Sequence, residues 1–387
     1  DKLLGGLLAS GFDEGSCLSR YQSVLYRKNS LHKPSPYLIS KLRKYEDLHR
    51  RCGPYTESYN RTLKKLETQY MKNSSTGDCN YIVWLRLNGL GNRIITMYDK
   101  LFYKDEYQGF LEKVPWLVLR SDQYFVPHLF LLESFKQEIN RMFPDKETIF
   151  HHLGRYLLHP SNQVWGLITR FYESYLAKAD KRLGLQIRIF DPKANPSKKV
   201  TDQLLACIRQ EKLLPQLDNN NKTTLAVASP SKNQTTKAVL VASLYSVYYE
   251  YLKNMYWLKP SADGEIVGVY QPSHEEIQQF GDNMHNAKAL AEIYLLGLCD
   301  VVVTSSWSTF GYVAHGLAGL RPWILFMDHG DGFPDQPCKQ AMTMEPCFQF
   351  PPTFDWLTHK VSDTAAFDPH VMPCEDVYHG VKLIDPS

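Results

Sequence analysis

Residues 285–326 constrain the fold more tightly than any other part of this 387-residue chain. Residues 285–299 carry the pattern of an amphipathic helix, and Asp300-Val301-Val302-Val303-Thr304 that of a short buried strand. The polar loop Ser305-Ser306-Trp307-Ser308-Thr309-Phe310-Gly311 then opens a small-residue helix over 312–319. Pro322-Trp323-Ile324-Leu325-Phe326 closes the unit as another strand. The order predicts a βαβ unit with hydroxyls and backbone N–H groups at the start of its helix. Unpaired N–H groups and the helix dipole suit a phosphate there. Ser308 or Thr309 can equally act as an ordinary N-cap, which needs no ligand.

The same alternation runs from Gly184 onward. Strand patterns cover 185–190, 238–242 and 266–270, helix patterns cover 200–214 and 245–256, and 219–236 reads as a polar loop. Strands alternating with helices imply a parallel sheet, whose ligands bind beyond the carboxyl ends of the strands. Arg188, Ser243, Gln271, Ser273, Ser305 and Ser306 stand at those ends. One arginine among hydroxyls and amides suits a nucleotide diphosphate. Upstream, 37–71 is helical and basic, 81–87 and 116–119 read as strands, and 127–143 and 162–179 read as helices. Trp165, Phe171, Tyr172 and Tyr175 line one face of the last and are expected in the core rather than as a sugar platform. The length exceeds one ordinary core, so two domains are expected, 1–180 and 181–387.

A net charge of +3, with no dense Lys/Arg block, argues against a nucleic-acid partner. No run is long and apolar enough to span a bilayer. The eight cysteines form no CxxC pair, which argues against zinc. Cys299 reads as a buried thiol, whereas Cys338, Cys347 and Cys374 sit in Pro-rich loops that suit disulfides. Sequons at Asn60, Asn73, Asn221 and Asn233 lie in polar segments and favour a secretory compartment. The loop Gly89-Leu90-Gly91-Asn92-Arg93 is a second candidate site: its glycines let backbone approach a ligand, and Arg93 adds a planar fork for phosphate. It lacks the third glycine and the acidic residue of a dinucleotide fingerprint, and a tight strand-to-helix turn would look the same.

Several segments together carry a resemblance. GLLASGFDEGSCLSRYQSVLYRK, the GLGNRI loop, KVPWLVLRSDQYFVP, FHHLGRYLLHPSNQVWGLITRFYESYL, LGLQIRIFD, HNAKALAEIYLLGLCD, TSSWSTFGYVAHGLAGLRPWIL and AMTMEPCF cover nearly the whole chain in order. They resemble the plant xyloglucan-type α-1,2-fucosyltransferases of glycosyltransferase family 37. The resemblance implies an α/β fold of two Rossmann-like domains, GT-B type, with an added N-terminal helical segment and the donor between the domains. It implies inverting transfer of L-fucose from GDP-fucose to a galactose 2-hydroxyl on a cell-wall glycan, with arabinogalactan or a catalytically inactive binding role as alternatives. A Golgi lumen location, an anchor before Asp1, a galactosylated polysaccharide acceptor, and a homodimer or Golgi complex are the accompanying expectations.

Residue by residue, the resemblance implies that Arg188 binds the pyrophosphate. Gly89, Gly91, Asn92 and Arg93 match the family's Gly-rich loop, and Ser305, Ser308, Thr309, Phe310 and Gly311 fall in its donor loop. Asp122 matches a carboxylate suited to general base work. His151, His152, Arg155, His159, Asn162 and Gln163 fall in the segment expected to face the acceptor. On a strand, adjacent His151 and His152 would point to opposite faces. The family carries a long stretch between the Gly-rich loop and KVPW, where this chain has only residues 94–112. No DxD motif occurs, and Asp328-His329-Gly330-Asp331 has the wrong spacing, so no metal and no cofactor is expected. Arg188, Arg93 and helix N-termini would neutralise the leaving diphosphate.

Overall fold

The computed structural model describes residues 3–27, 30–67, 79, 81–85, 89–95, 116–120, 122–130, 132–218, 234–328, 335–351, 354–355, 360–361 and 368–386. Helices α1 (Leu18–Tyr26), α2 (Pro36–Cys52) and α3 (Glu57–Glu67) lead the chain. Ser35 starts α2 by accepting a hydrogen bond from Leu38 N–H at 3.0 Å, with Pro36 in the first turn, where its missing N–H costs nothing. Strand β1 (Tyr81–Leu85), the short helix α4 (Leu90–Ile95) and β2 (Trp116–Arg120) follow. Tyr81 pairs with Trp116 and Leu85 with Arg120 in parallel register, and these elements make up the described part of a first lobe.

Helices α5 (Glu133–Met142), α6 (Ile149–Leu157) and α7 (Asn162–Phe171) lead into the second lobe. Its sheet has the order β5-β4-β3-β6-β7-β8. The strands are β3 (Lys181–Ile187), β4 (Thr236–Ser243), β5 (Ile266–Tyr270), β6 (Val301–Ser305), β7 (Trp323–Leu325) and β8 (Cys338–Gln340). The first five pair in parallel and β8 closes one edge antiparallel. The crossovers are α8 (Ser197–Gln210), α9 (Val247–Leu258), α10 (Asn283–Leu296) and α11 (Thr309–Ala318).

Strand periodicity sorts the core. Along β4, Ala238, Leu240 and Ala242 face a cluster with Trp165, Ile168, Ile293, Leu296, Val313 and Leu317 from α7, α10 and α11. Val239 and Val241 face the opposite cluster, with Val200, Leu204, Tyr248 and Leu252 from α8 and α9. Both sheet faces are therefore covered, as parallel strands require. A third core joins Leu7, Leu38, Phe130 and Ile149 to Val371, Val381 and Leu383 of a C-terminal hairpin, which pairs antiparallel. The chain's end thus packs against its beginning.

The structure differs from the sequence reading in four places. The expected helix over 127–143 is a four-residue turn (Val126–Leu129) followed by α5, because an extended Leu132 breaks it and Phe130 and Leu132 turn inward. The helix over 162–179 is α-helical only to Phe171 and widens into a π turn over Tyr172–Leu176. His151 and His152 lie on a helix, not a strand: Phe150 faces one core cluster while Ile149 and Leu153 face another. The strand expected over 185–190 ends at Ile187, which puts Arg188 just past its carboxyl end.

Disulfides join Cys52 to Cys79, Cys207 to Cys338 and Cys347 to Cys374. Cys17 and Cys299 are free thiols, Cys299 buried as expected. Sequon Asn60 is exposed on α3, whereas Asn73, Asn221 and Asn233 lie outside the described residues, as does most of the loop expected over 219–236. No helix among the described residues is long and apolar enough to cross a membrane. The Cys207–Cys338 bond ties α8 to edge strand β8 across a sequence separation of 131. Replacing both cysteines with alanine should lower unfolding stability by about 2–5 kcal/mol, because a long loop is freed in the denatured chain. Urea denaturation of the double variant measures this, and an unchanged midpoint would contradict it.

Candidate functional site

The strand order turns at β3: β4 and β5 continue to one side, then α10 carries the chain back to β6 on the other. Strand ends part at such a switch point and leave a crevice. A cavity of about 690 Å³ opens there, lined by residues of both lobes. Arg188 and Phe190 reach it from the end of β3, and Ser243 and Leu244 from β4. Ser273, Glu275 and Gln278 to Gly281 border it from the β5–α10 connection, Trp307 to Phe310 from the start of α11, and Gly89 to Arg93 from the first lobe. Gln349 and Phe350 line it from the C-terminal segment.

Arg188 is held at both ends. Its backbone N–H donates to Ser305 Oγ at 2.9 Å, and its guanidinium donates to Gln278 Oε1 at 2.8 Å while standing 5.2 Å over the Phe190 ring. Burial lowers its pKa, yet an arginine keeps its charge. The Gly-rich loop touches α11 directly. A Cβ on Gly91 would lie 2.7 Å from Phe310 N and 2.7 Å from Thr309 Oγ1, so only glycine allows this approach. Thr309 Oγ1 donates to Asn92 Oδ1 at 2.7 Å, and Arg93 donates to Asn286 Oδ1 at 2.7 Å.

Ser308 caps α11 by accepting from Gly311 N–H at 3.4 Å. The ordinary capping role is thus real, and the capped N-terminus still faces the cavity. Trp307 before it sits at φ 62°, a left-handed conformation rare for a bulky residue. Half-buried Asp376 holds it there, accepting from Trp307 N–H at 2.9 Å and from Tyr312 Oη–H at 2.6 Å, while Gln349 donates to Trp307 O at 3.0 Å. The Cys347–Cys374 bond staples the segments that carry Gln349 and Asp376.

A sequence model described as xyloglucan fucosyltransferase matches residues 1–98 and 97–357. This chain belongs to that family. A galactoside 2-alpha-L-fucosyltransferase of Pisum sativum is 45% identical over 471 aligned positions, covering 100% of this chain and 82% of that protein. One from Arabidopsis thaliana is 45% identical over 470 positions, covering 99% of this chain and 83% of that protein. The structure of an arginine-to-lysine mutant of Arabidopsis thaliana FUT1 in complex with GDP superposes with a TM-score of 0.85 at 44% identity, covering 99% of this chain and 100% of that one. The fold is accordingly the two-lobed α/β architecture of this family. The aligned positions outnumber the 387 residues here, so the relatives hold residues without a counterpart, and the family match breaks at 97–98. That point falls inside the short 94–112 stretch, most of which lies outside the described residues.

The donor residues expected from sequence gather in one place, with two exceptions. Gly89, Gly91, Asn92, Arg93, Arg188, Ser308, Thr309 and Phe310 all line the cavity. Ser305 is buried behind it as a hydrogen-bond partner of Arg188, and Gly311 is packed against Gln186 and Thr304. Asp122 follows β2 in the first lobe, accepts from Gln123 Nε2 at 2.9 Å, and is not among the lining residues.

The six acceptor-side residues are not brought to the cavity. His151 is buried between Gly316 O and Ser30 Oγ, each 3.0 Å away, and burial holds its imidazole neutral. His152 is buried beside it, and Arg155 donates to Leu317 O at 3.2 Å. His159 bonds Tyr156 O, Asn162 ties α7 to Gly15 and Leu18, and Gln163 is exposed on α7. Helix packing accounts for most of this set. In the aromatic stripe, Trp165 is buried as expected, while Tyr175 is exposed and lies 5.0 Å from the Tyr270 ring.

Sequence reasoning missed Glu292. It interrupts the apolar run Leu290-Ala291-Glu292-Ile293, a visible signal, and lines the cavity at 7% exposure. Ser273 Oγ donates to its Oε1 at 2.6 Å, and burial pushes its carboxyl up to about 8.

Gly91→Ala should destabilise the fold by about 1–3 kcal/mol, because the backbone of Phe310 cannot give way. Gly89→Ala meets only the end of the Gln278 side chain and should cost far less. Thermal melting of the two variants measures the difference, and equal melting points would refute the close approach at Gly91.

Proposed function

We infer that this protein is an inverting fucosyltransferase, taking GDP-fucose in the cavity between its lobes and adding L-fucose to a galactose 2-hydroxyl of xyloglucan. One observation carries the reading: Arg188, the N-terminus of α11 and the Gly-rich loop converge on one cavity in a chain that matches the family along its length. The acceptor oxygen attacks C1 of fucose, the bond from C1 to the diphosphate oxygen breaks, and GDP departs with the electron pair. Charge grows on the departing diphosphate, where a fixed guanidinium and oriented N–H groups stabilise it without reorganising. The acceptor hydroxyl then needs at most weak base help, so the reading does not rest on Asp122.

The cationic donors supply the neutralisation that a DxD-bound metal supplies elsewhere, so transfer is proposed to be metal-independent. Three disulfides call for an oxidising compartment, which fits a Golgi lumen location. A second reading has one observation in its favour. The break in the family match at 97–98 removes residues the relatives possess, which suits a homologue that holds the donor without transferring it.

Calorimetry in EDTA should show GDP binding, and a GDP-fucose assay with a galactosylated xyloglucan oligosaccharide should show transfer. Arg188→Ala should lower transfer by roughly 10²–10³-fold, about 3–4 kcal/mol of lost transition-state stabilisation. A need for added metal would refute the metal-independent reading. Binding with no turnover would leave the donor-binding homologue.

Glu292 is the proposed reader of the base. Arg188 follows β3, and Ser273 follows β5 two strands away, so about 10 Å of cavity separates them, room for a ribose and a base. A carboxylate there can accept from guanine N1–H and the 2-amino group, a donor pair that adenine and uracil lack. The carboxyl is protonated near neutrality, with Glu275 and Lys288 its nearest charged neighbours, and must release its proton to pair. GDP affinity should therefore rise as pH climbs to about 8 and level off above it. Glu292→Gln should lose preference for GDP over inosine diphosphate by roughly tenfold or more. A flat pH profile with unchanged preference would remove Glu292 from this role.

A further inference from the structure

Arginines are rarely buried without a carboxylate beside them. Behind α11, away from the cavity between the lobes, two such arginines meet. Arg155 on α6 is 7% exposed, and Arg27, just past α1, is half-buried. Arg155 Nε donates to Leu317 O at 3.2 Å and Arg27 Nη1 donates to the same oxygen at 3.4 Å, so the two guanidinium groups are neighbours. A third arginine, Arg20, is buried nearby, donating to Ala9 O at 2.7 Å and standing 4.4 Å over the Phe12 ring. Among the described residues, no carboxylate pairs with any of the three.

The partners Arg27 and Arg155 do have are too weak to balance them. Arg27 stands 5.2 Å over the Tyr294 ring. Leu317 lies in the last turn of α11, so its carbonyl belongs to the negative end of that helix, equivalent to about half a charge. Half a charge does not neutralise two guanidinium ions taken out of water. Neighbouring groups feel the excess. Burial, and after it Arg20, push the His159 imidazole down to about 4, and burial followed by Arg155 does the same to His152.

A cavity of about 10 Å³ adjoins the pair, and Ser19, Ser23 and Tyr294 also line it. Ser19 Oγ donates to Pro160 O at 2.7 Å, and the Tyr294 hydroxyl donates to Leu158 O. Ser23 is 7% exposed, and its hydroxyl has no hydrogen-bond partner among the described residues. An unused donor and two cations therefore surround a space that fits one water-sized sphere and no tetrahedral oxyanion.

We propose that this is a site for a monatomic anion, of which chloride is the common example, held by Arg27, Arg155 and the Ser23 hydroxyl. The ion completes the junction of α1 with α6, α10 and α11, and it takes no part in the chemistry at the other end of α11. The site does not depend on what the larger cavity binds.

Thermal melting in sodium chloride and in sodium gluconate at equal ionic strength tests this, because gluconate is too large for the cavity. The wild-type midpoint should rise by about 2 °C or more as chloride replaces gluconate and then level off, as one saturable site requires. Ser23→Ala loses one donor and should need about tenfold more chloride for the same rise. Arg155→Met should abolish the rise. The readout is the change on adding chloride, so a variant with a weakened fold still reports, and Ser23→Ala stands alone if Arg155→Met does not fold. Crystals soaked in sodium bromide should show an anomalous peak between Arg27 and Arg155. Equal melting of the wild type in the two salts would overturn the proposal, as would a chloride response that both variants keep unchanged.

Discussion

The site depends on how β3 is pinned to β6. Leu183 faces Val301 and Gln186 faces Thr304 in parallel register. At the end of that ladder, Gln186 Oε1 accepts from Ser305 N–H at 3.2 Å, and Ser305 Oγ donates to Gln186 O at 3.3 Å and accepts from Arg188 N–H. Gln186 and Ser305 are almost fully buried, where an unpaired polar group is costly, so this small network tolerates little variation in geometry. It fixes the first residue past β3, Arg188, relative to the first turn of α11, and both line the cavity.

The first lobe reaches the cavity through contacts that leave little slack. Gly91 lets α4 rest on the backbone at Phe310, while Asn92 and Arg93 extend the contact to Thr309 and Asn286. Leu90 and Ile94 pack against the same core cluster as α7, α10 and α11. The Gly-rich loop that lines the cavity is thus anchored by apolar packing at its back and polar pairs at its front. The C-terminal segment adds a third restraint, holding strained Trp307 through Asp376 and Gln349. A left-handed tryptophan at the start of α11 persists because its surroundings over-determine it.

Much of this was legible in the sequence, and the illegible part has a physical pattern. The alternation of β-branched runs with amphipathic segments gave the parallel sheet, because burying both faces of a strand requires near-continuous apolar sequence. Arg188 and the Ser308–Phe310 loop could be named because strand ends are visible once strands are. The placement of the residues expected on the acceptor side was not legible in the same way: His151 and Arg155 are polar residues with buried backbone partners, and polarity in sequence does not reveal which side of a helix meets a carbonyl.

The sequence by itself determined the local elements, the placement of Arg188 and the Gly-rich loop at element ends, and the family. Those follow from residue order, since periodicity, caps and short motifs are local properties of the chain. Tertiary structure alone decided that Glu292 reaches the cavity between the lobes, that Cys207 pairs with Cys338, and that Gln278 and Asn286 face two arginines from different lobes. Each of those joins residues far apart in the chain. The packing of α10 and α4 against α11 sets the distances around the cavity, that of α8 against β8 sets the disulfide, and no local pattern encodes either.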